Sequence, residues 1–166
     1  MIKVYIGLGS NLALPEKQIQ AACRSLAALP DTALIMCSSL YRSQPMGPQD
    51  QPDYVNAVAL IETKLSADSL LQHTQLIESQ QGRTRNAKRW GPRTLDLDML
   101  LYGKQHIDTD HLKVPHCGMK QREFVLYPLF EIASDLILPC GEKLSELLLK
   151  CPLNGLRKMA PLKYEL

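Results

Sequence analysis

Asp96 and Asp98 stand two residues apart in the run Leu95-Asp96-Leu97-Asp98-Met99-Leu100-Leu101, where acidic and apolar residues alternate. On an extended strand this spacing sends both carboxylates to one face and Leu95, Leu97 and Met99 to the other. Paired carboxylate oxygens are the hard ligands that magnesium prefers, and such a pair can hold two ions about 3.5–4 Å apart, as phosphoryl-transfer sites do. Directly upstream, Arg83, Arg85, Lys88, Arg89 and Arg93 place five cations within eleven residues, broken by Trp90, Gly91 and Pro92. A bare D-x-D on a solvated strand face is common and says little. A cation cluster beside it repels itself unless an anion or the carboxylates offset it, and arginine forks match phosphate oxygens two at a time. Metal plus arginine loop therefore reads as a triphosphate site.

A second constellation lies between Ser43 and Asn56. Tyr54 supplies a flat apolar ring and Asn56 a side chain that both donates and accepts, which suits a fused heteroaromatic ring. Taken alone these two are ordinary residues for the start of a strand, and Phe124, near Arg122 and His116, is an ordinary core residue. His73 and His116 lack further ligands at zinc spacing. Gly7-Leu8-Gly9-Ser10-Asn11 has neither the third glycine of a dinucleotide fold nor a P-loop lysine.

The elements that must position these groups follow from periodicity. Ile2–Leu8 reads as a strand, and a helix runs from Pro15 to Leu29 with Ile19, Ala22, Cys23, Leu26 and Leu29 on one stripe. Ala33–Arg42 reads as one strand, Ser43–Asp53 as a long loop and Tyr54–Thr63 as a third strand that puts Tyr54 and Asn56 on the same face. Ser66 caps a helix to Gln80 whose Leu70, Leu71, Thr74 and Ile77 face a core, while Gln75 and Glu78 share another face. A loop follows over Arg83–Thr94, then the aspartate strand Leu95–Leu101, a hairpin-like segment over Gln105–Val114, and helices over Phe124–Ala133 and Leu144–Leu149. The order β-α-β-β-α-β predicts an α+β domain with a ferredoxin-like antiparallel sheet covered by helices. Residues 1–166 are expected to form one domain, with neither repeat nor linker to divide them.

Composition narrows the class. A formal net charge of +2 with 22% charged residues lacks the basic excess of a nucleic-acid-coating protein. Five cysteines without a CxxC pair suggest neither a disulfide framework nor a zinc ribbon and fit a reducing cytosol. The first residues lack signal-peptide character, and apolar runs fall short of the roughly 20 residues that span a bilayer.

The run Arg89-Trp90-Gly91-Pro92-Arg93-Thr94-Leu95-Asp96-Leu97-Asp98-Met99-Leu100 resembles the signature of the 6-hydroxymethyl-7,8-dihydropterin pyrophosphokinase family. The resemblance extends through Tyr5–Leu12, Gly47–Asn56, Val114-Pro115-His116 and Pro128-Leu129-Phe130-Glu131 in family order, and thins beyond Leu138. It implies a cytoplasmic, monomeric enzyme of folate synthesis that moves the β,γ-diphosphate of ATP to the pterin hydroxymethyl group, with two Mg²⁺ ions, on a ferredoxin-like fold. Nucleic acid and membrane are not among the implied partners. By matching position, Asp96 and Asp98 would ligate both ions, and Arg83 and Arg93 would hold the phosphates. Asn56 and Tyr54 would hold the pterin, Phe124 would stack on it, and Ser43 and Met46 would line its pocket. Gln75, Glu78, Arg85, Arg89, Trp90, His116 and Arg122 would surround the nucleotide, the loops or the pocket. Gln44, Cys117, Gly118 and Glu123 depart from the usual pattern.

Three rival readings use the same residues differently. A metal-dependent nuclease would share the aspartates and arginines but leaves Tyr54 and Asn56 unexplained. An RNA-binding sheet should show paired aromatics, and only 5% of residues here are aromatic. An inactive scaffold has no reason to carry every metal and phosphate residue.

Overall fold

The computed structural model describes residues 1–45, 47, 49–82 and 94–163. Its strands are β1 (Ile2–Ser10), β2 (Thr32–Cys37), β3 (Ser39–Ser43), β4 (Tyr54–Thr63), β5 (Asp96–Tyr102), β6 (Ile107–Asp108), β7 (Lys113–Val114) and β8 (Arg157–Pro161). Its helices are α1 (Pro15–Ala27), α2 (Ala67–Gln80), α3 (Glu123–Ile132) and α4 (Leu144–Leu149). The main sheet runs β5-β1-β4-β3-β8, with β2 also on β4, and its strand pairs are antiparallel. The first strand thus inserts between β4 and β5, as the predicted split βαβ order requires.

Two apolar layers sandwich this sheet. Alternation along β1 sends Val4, Ile6 and Leu8 to the layer under α1 and α2, where Ile19, Leu26, Leu70 and Ile77 are buried with Leu95, Leu97 and Met99. The opposite layer joins Val58, Leu100 and Leu101 to Leu126 and Leu129 of α3 and to Leu144 of α4. Leu100 and Leu101 are adjacent yet share a layer because the β1–β5 register shifts between Tyr5 and Ile6. The extra residue on β5 breaks the alternation there, so the aspartate end of β5 keeps its two faces while its far end is wholly apolar.

The strand expected over Ala33–Arg42 is two strands. Ser38 separates them: its Oγ accepts the N–H of Val58 at 2.9 Å, where an unbroken ladder would offer a backbone carbonyl, and donates to the Ser39 carbonyl at 2.8 Å. Sequence reading also missed β8, a short strand whose side chains are mostly exposed and whose residues therefore carry no core signature. The hairpin-like segment is the β6–β7 pair, and Ser66 caps α2 by accepting the N–H of Ser69 at 3.1 Å. Among the described residues, no helix is long and apolar enough to cross a membrane.

Candidate active site

Three strands place the chemistry-bearing residues in rows across one sheet end. Asn56 of β4, Gly9 of β1 and Asp96 of β5 are successive register partners, and Val58, Gly7 and Asp98 form the next row. Directly opposed residues of antiparallel strands share a face, so Asn56 and both aspartates look the same way. Two strand spacings, roughly 10 Å, separate the Asn56 and Asp96 positions. Between them lie only glycines. A Cβ added at Gly9 would sit 3.4 Å from Asn56 Oδ1 and 3.8 Å from Tyr54 Cδ1, which puts Gly9 at the floor of a slot walled by those residues.

The amide of Asn56 is fixed from below. Its Nδ2 donates to Ser43 Oγ at 2.8 Å and to the Tyr41 carbonyl at 3.3 Å, and the residue is buried. With both amide protons committed, Oδ1 is left directed toward Gly9. The base of the Ser43–Asp53 loop is also tied down: Asn11 Nδ2 donates to Gln51 Oε1 and to the Pro52 carbonyl, each at 2.9 Å.

Asp96 and Asp98 are half-buried, while Leu97 between them is buried on the α2 side. Glu78 of α2 is buried, and its Oε2 accepts the N–H of Leu97 at 2.8 Å. Helix α2 covers the face opposite the aspartates, so Glu78 and the half-buried Gln75 stand behind β5 rather than beside the carboxylates. Among the described residues no three His, Cys, Asp or Glu side chains converge as a metal cage. The Asp96–Asp98 pair offers hard carboxylate oxygens of the kind magnesium takes beside water and phosphate oxygens.

His116 flanks β5, its backbone N–H donating to the Leu100 carbonyl at 3.0 Å. Its Nδ1 accepts the N–H of Gly118 at 3.1 Å, which leaves the ring proton on Nε2. Burial lowers its pKa below the ordinary imidazole value; Asp98 opposes that shift and Arg122 adds to it. The ring is therefore a neutral donor near Asp98.

Phe124 opens α3, half-buried against the second apolar layer, with Arg122 Cζ 5.8 Å from its ring centre. Both line a cleft of about 540 Å³ whose other walls include Gln44, Pro45, Asn154 and Gly155. The structure thus groups Ser43, Tyr54, Asn56, Asp96 and Asp98 on one sheet end, with His116 and Arg122 on the segment between β7 and α3 and Phe124 in the first turn of α3. Met46, Arg83, Arg85, Arg89, Trp90 and Arg93 lie outside the described residues. Sequence reading weighed Gly7 and Gly9 only as a nucleotide loop and set them aside; the signal for a slot floor was their spacing at strand period. It also passed over the Asn154–Gly155 turn, whose residues have φ of 51° and 81°, an Asn-Gly turn signature.

Comparison with known proteins identifies the family. A family model described as 7,8-dihydro-6-hydroxymethylpterin-pyrophosphokinase matches residues 5–134. A 2-amino-4-hydroxy-6-hydroxymethyldihydropteridine pyrophosphokinase of Haemophilus influenzae is 53% identical over 97% of this chain and 100% of its own length. One of the same name from Pseudomonas aeruginosa is 54% identical over 95% of this chain and 96% of its own. The crystal structure of Plasmodium falciparum HPPK-DHPS aligns with a TM-score of 0.67 at 12% identity, over 90% of this chain and 43% of that one, and so supports the fold. With a family model over most of its length and full-length relatives above half identity, the chain belongs to the 7,8-dihydro-6-hydroxymethylpterin-pyrophosphokinase family.

Proposed function

We propose that the row Asn56–Gly9–Asp96 is the substrate track of a pyrophosphoryl transfer, with the pterin ring at its Asn56 end and the triphosphate at its aspartate end. The chain transfers the pyrophosphoryl group of ATP to hydroxymethyldihydropterin in folate synthesis. The observation that carries the residue assignment is the glycine floor: a ring laid over Gly9 spans the gap between an oriented amide oxygen and two carboxylates.

Asn56 Oδ1 accepts from the N–H edge of the pterin, Ser43 holds that amide in place, and Tyr54 and Phe124 bound the ring, with Met46 lining the pocket. Asp96 and Asp98 hold two magnesium ions. When bound, those ions supply charge neutralisation and alignment of the triphosphate. Arg83 and Arg93 hold phosphate oxygens, as do the neutral His116 Nε2–H and Arg122, while Arg85, Arg89 and Trp90 surround the nucleotide and Gln75 and Glu78 act from behind β5, where Glu78 holds the strand. No strong base is needed, because phosphoryl transfer is mostly positioning plus charge stabilisation. Attack falls on the β-phosphorus, and AMP leaves. The segments Ser43–Asp53 and Arg83–Thr94, read as loops from the sequence alone, would exclude water during the transfer. The enzyme works as a single-domain cytoplasmic monomer, and the cytoplasmic part of this reading is supported by a cysteine pattern without a CxxC pair.

AMP release from ATP, measured with and without magnesium and the dihydropterin, tests this for the wild type beside Asp96→Ala and Asp98→Ala. AMP should appear only with both additions and vanish in both variants. AMP release that survives loss of either carboxylate would remove the aspartates from the metal site.

A further inference from the structure

We propose that Gly118 is a positioning residue for Arg122, seating its guanidinium in the space where any other residue would carry a side chain. The proposal rests on the reading that places Arg122 at the nucleotide.

Gly118 has φ −102° and ψ −3°, a conformation open to every L-amino acid, so the backbone does not call for glycine there. What calls for it is the neighbour. A Cβ built on Gly118 would lie 2.6 Å from Arg122 Cζ and Nε and 2.7 Å from Nη2, well inside van der Waals contact. The guanidinium therefore packs directly on the Gly118 Cα. From that seat its Cζ lies over the Phe124 ring, 5.8 Å from the centroid, beside the cleft that both residues line. The N–H of the same glycine donates to His116 Nδ1 at 3.1 Å. One residue thus orients two site groups, a ring through its backbone and a cation through its missing side chain. The atoms a new side chain would meet are the far end of a flexible arginine, which can swing away without disturbing the fold. Swinging away removes the guanidinium from the geometry that substrate binding uses.

The test is Gly118→Ala, Arg122→Ala and the double variant, each assayed for KM, kcat and thermal stability. Gly118→Ala should keep or slightly raise Tm, since alanine restricts the unfolded chain at a compatible φ. It should raise the KM for ATP about 10- to 100-fold, because a misplacement of about 1 Å can cost on the order of a hundredfold. In the Arg122→Ala background the same change should add nothing, because its target is gone. Wild-type KM in Gly118→Ala, a lowered Tm, or full additivity with Arg122→Ala would each overturn the proposal. Wild-type KM in Arg122→Ala alone would instead overturn the placement of Arg122 at the nucleotide.

Discussion

The buried Glu78 carboxylate accepts the backbone N–H of Leu97 at 2.8 Å, so the strand that carries Asp96 and Asp98 is held from the helix behind it. Strand β5 lies at the end of the sheet order, and the bond satisfies a donor there. Truncation to alanine leaves the Leu97 N–H buried without this partner. Glu78→Ala should cost about 2 kcal/mol of stability and reduce kcat about 10- to 100-fold through misplacement of the aspartates. Glu78→Gln keeps an acceptor oxygen and should recover most of the stability, as read from urea unfolding and steady-state kinetics.

Gly9→Ala separates floor from fold. The new methyl would make ordinary contacts with Asn56 Oδ1 and Tyr54 Cδ1, so the protein should fold normally. It would also fill the slot in which the pterin is proposed to lie. Isothermal titration with the pterin should show affinity lowered roughly tenfold or more, a steric loss of over 1.4 kcal/mol, with nucleotide affinity unchanged.

Glu131 predicts a pH dependence. Tyr41 Oη donates to Glu131 Oε1 at 2.5 Å, while the Ser39 N–H and Oγ donate to Oε2 at 2.9 and 3.0 Å. Burial alone would raise its pKa, but the bonds from Tyr41 and Ser39, with Lys158 nearby, bring it below the ordinary carboxylate value. Because the folded pKa is the lower one, its stabilisation is complete above the ordinary glutamate range and is lost as pH falls through the depressed value. Glu131→Gln should cost about 2 kcal/mol near neutral pH and flatten the acid limb of a Tm-versus-pH curve.

Cys23 Sγ lies 3.6 Å from Cys37 Sγ, joining α1 to β2. The hydrogen bond with Cys37 and then burial push the Cys23 thiol far above its usual pKa. Brief iodoacetamide treatment near about pH 8, where an ordinary thiol is partly ionised, should label the exposed Cys117 and Cys140 and spare Cys23. Peptide mass spectrometry checks this, and Cys23 should react only after unfolding.

The nitrogen chemistry of His116 is equally accessible. Burial, outweighing Asp98, lowers its pKa, so an NMR titration of the metal-free protein should find its ring titrating below the ordinary imidazole range. Replacing Asp98 by asparagine removes the opposing charge and should lower it further.

What the sequence by itself determined was local. The alternation Leu95 to Met99 announced a strand with carboxylates on one face, because a period of two is a property of extended backbone and survives any tertiary context. Tyr54–Thr63 and Leu144–Leu149 were legible to the residue, since apolar runs bounded by loop residues mark their own ends. The family signature made the chemistry readable before any contact was known. The tertiary structure decided what depends on distant partners. That Asn56 and Asp96 share a row is set by β1 inserting between β4 and β5, a pairing across 40 positions that no local pattern encodes. Ser38 splits a strand because it meets Val58, and Glu78 is buried because an N–H of β5 awaits it. Gly118, noted in the sequence only as a departure from the family pattern, acquires a role only when Arg122 folds back over it. Side-chain identity fixes what a residue can do, and long-range packing fixes which neighbour it does it to.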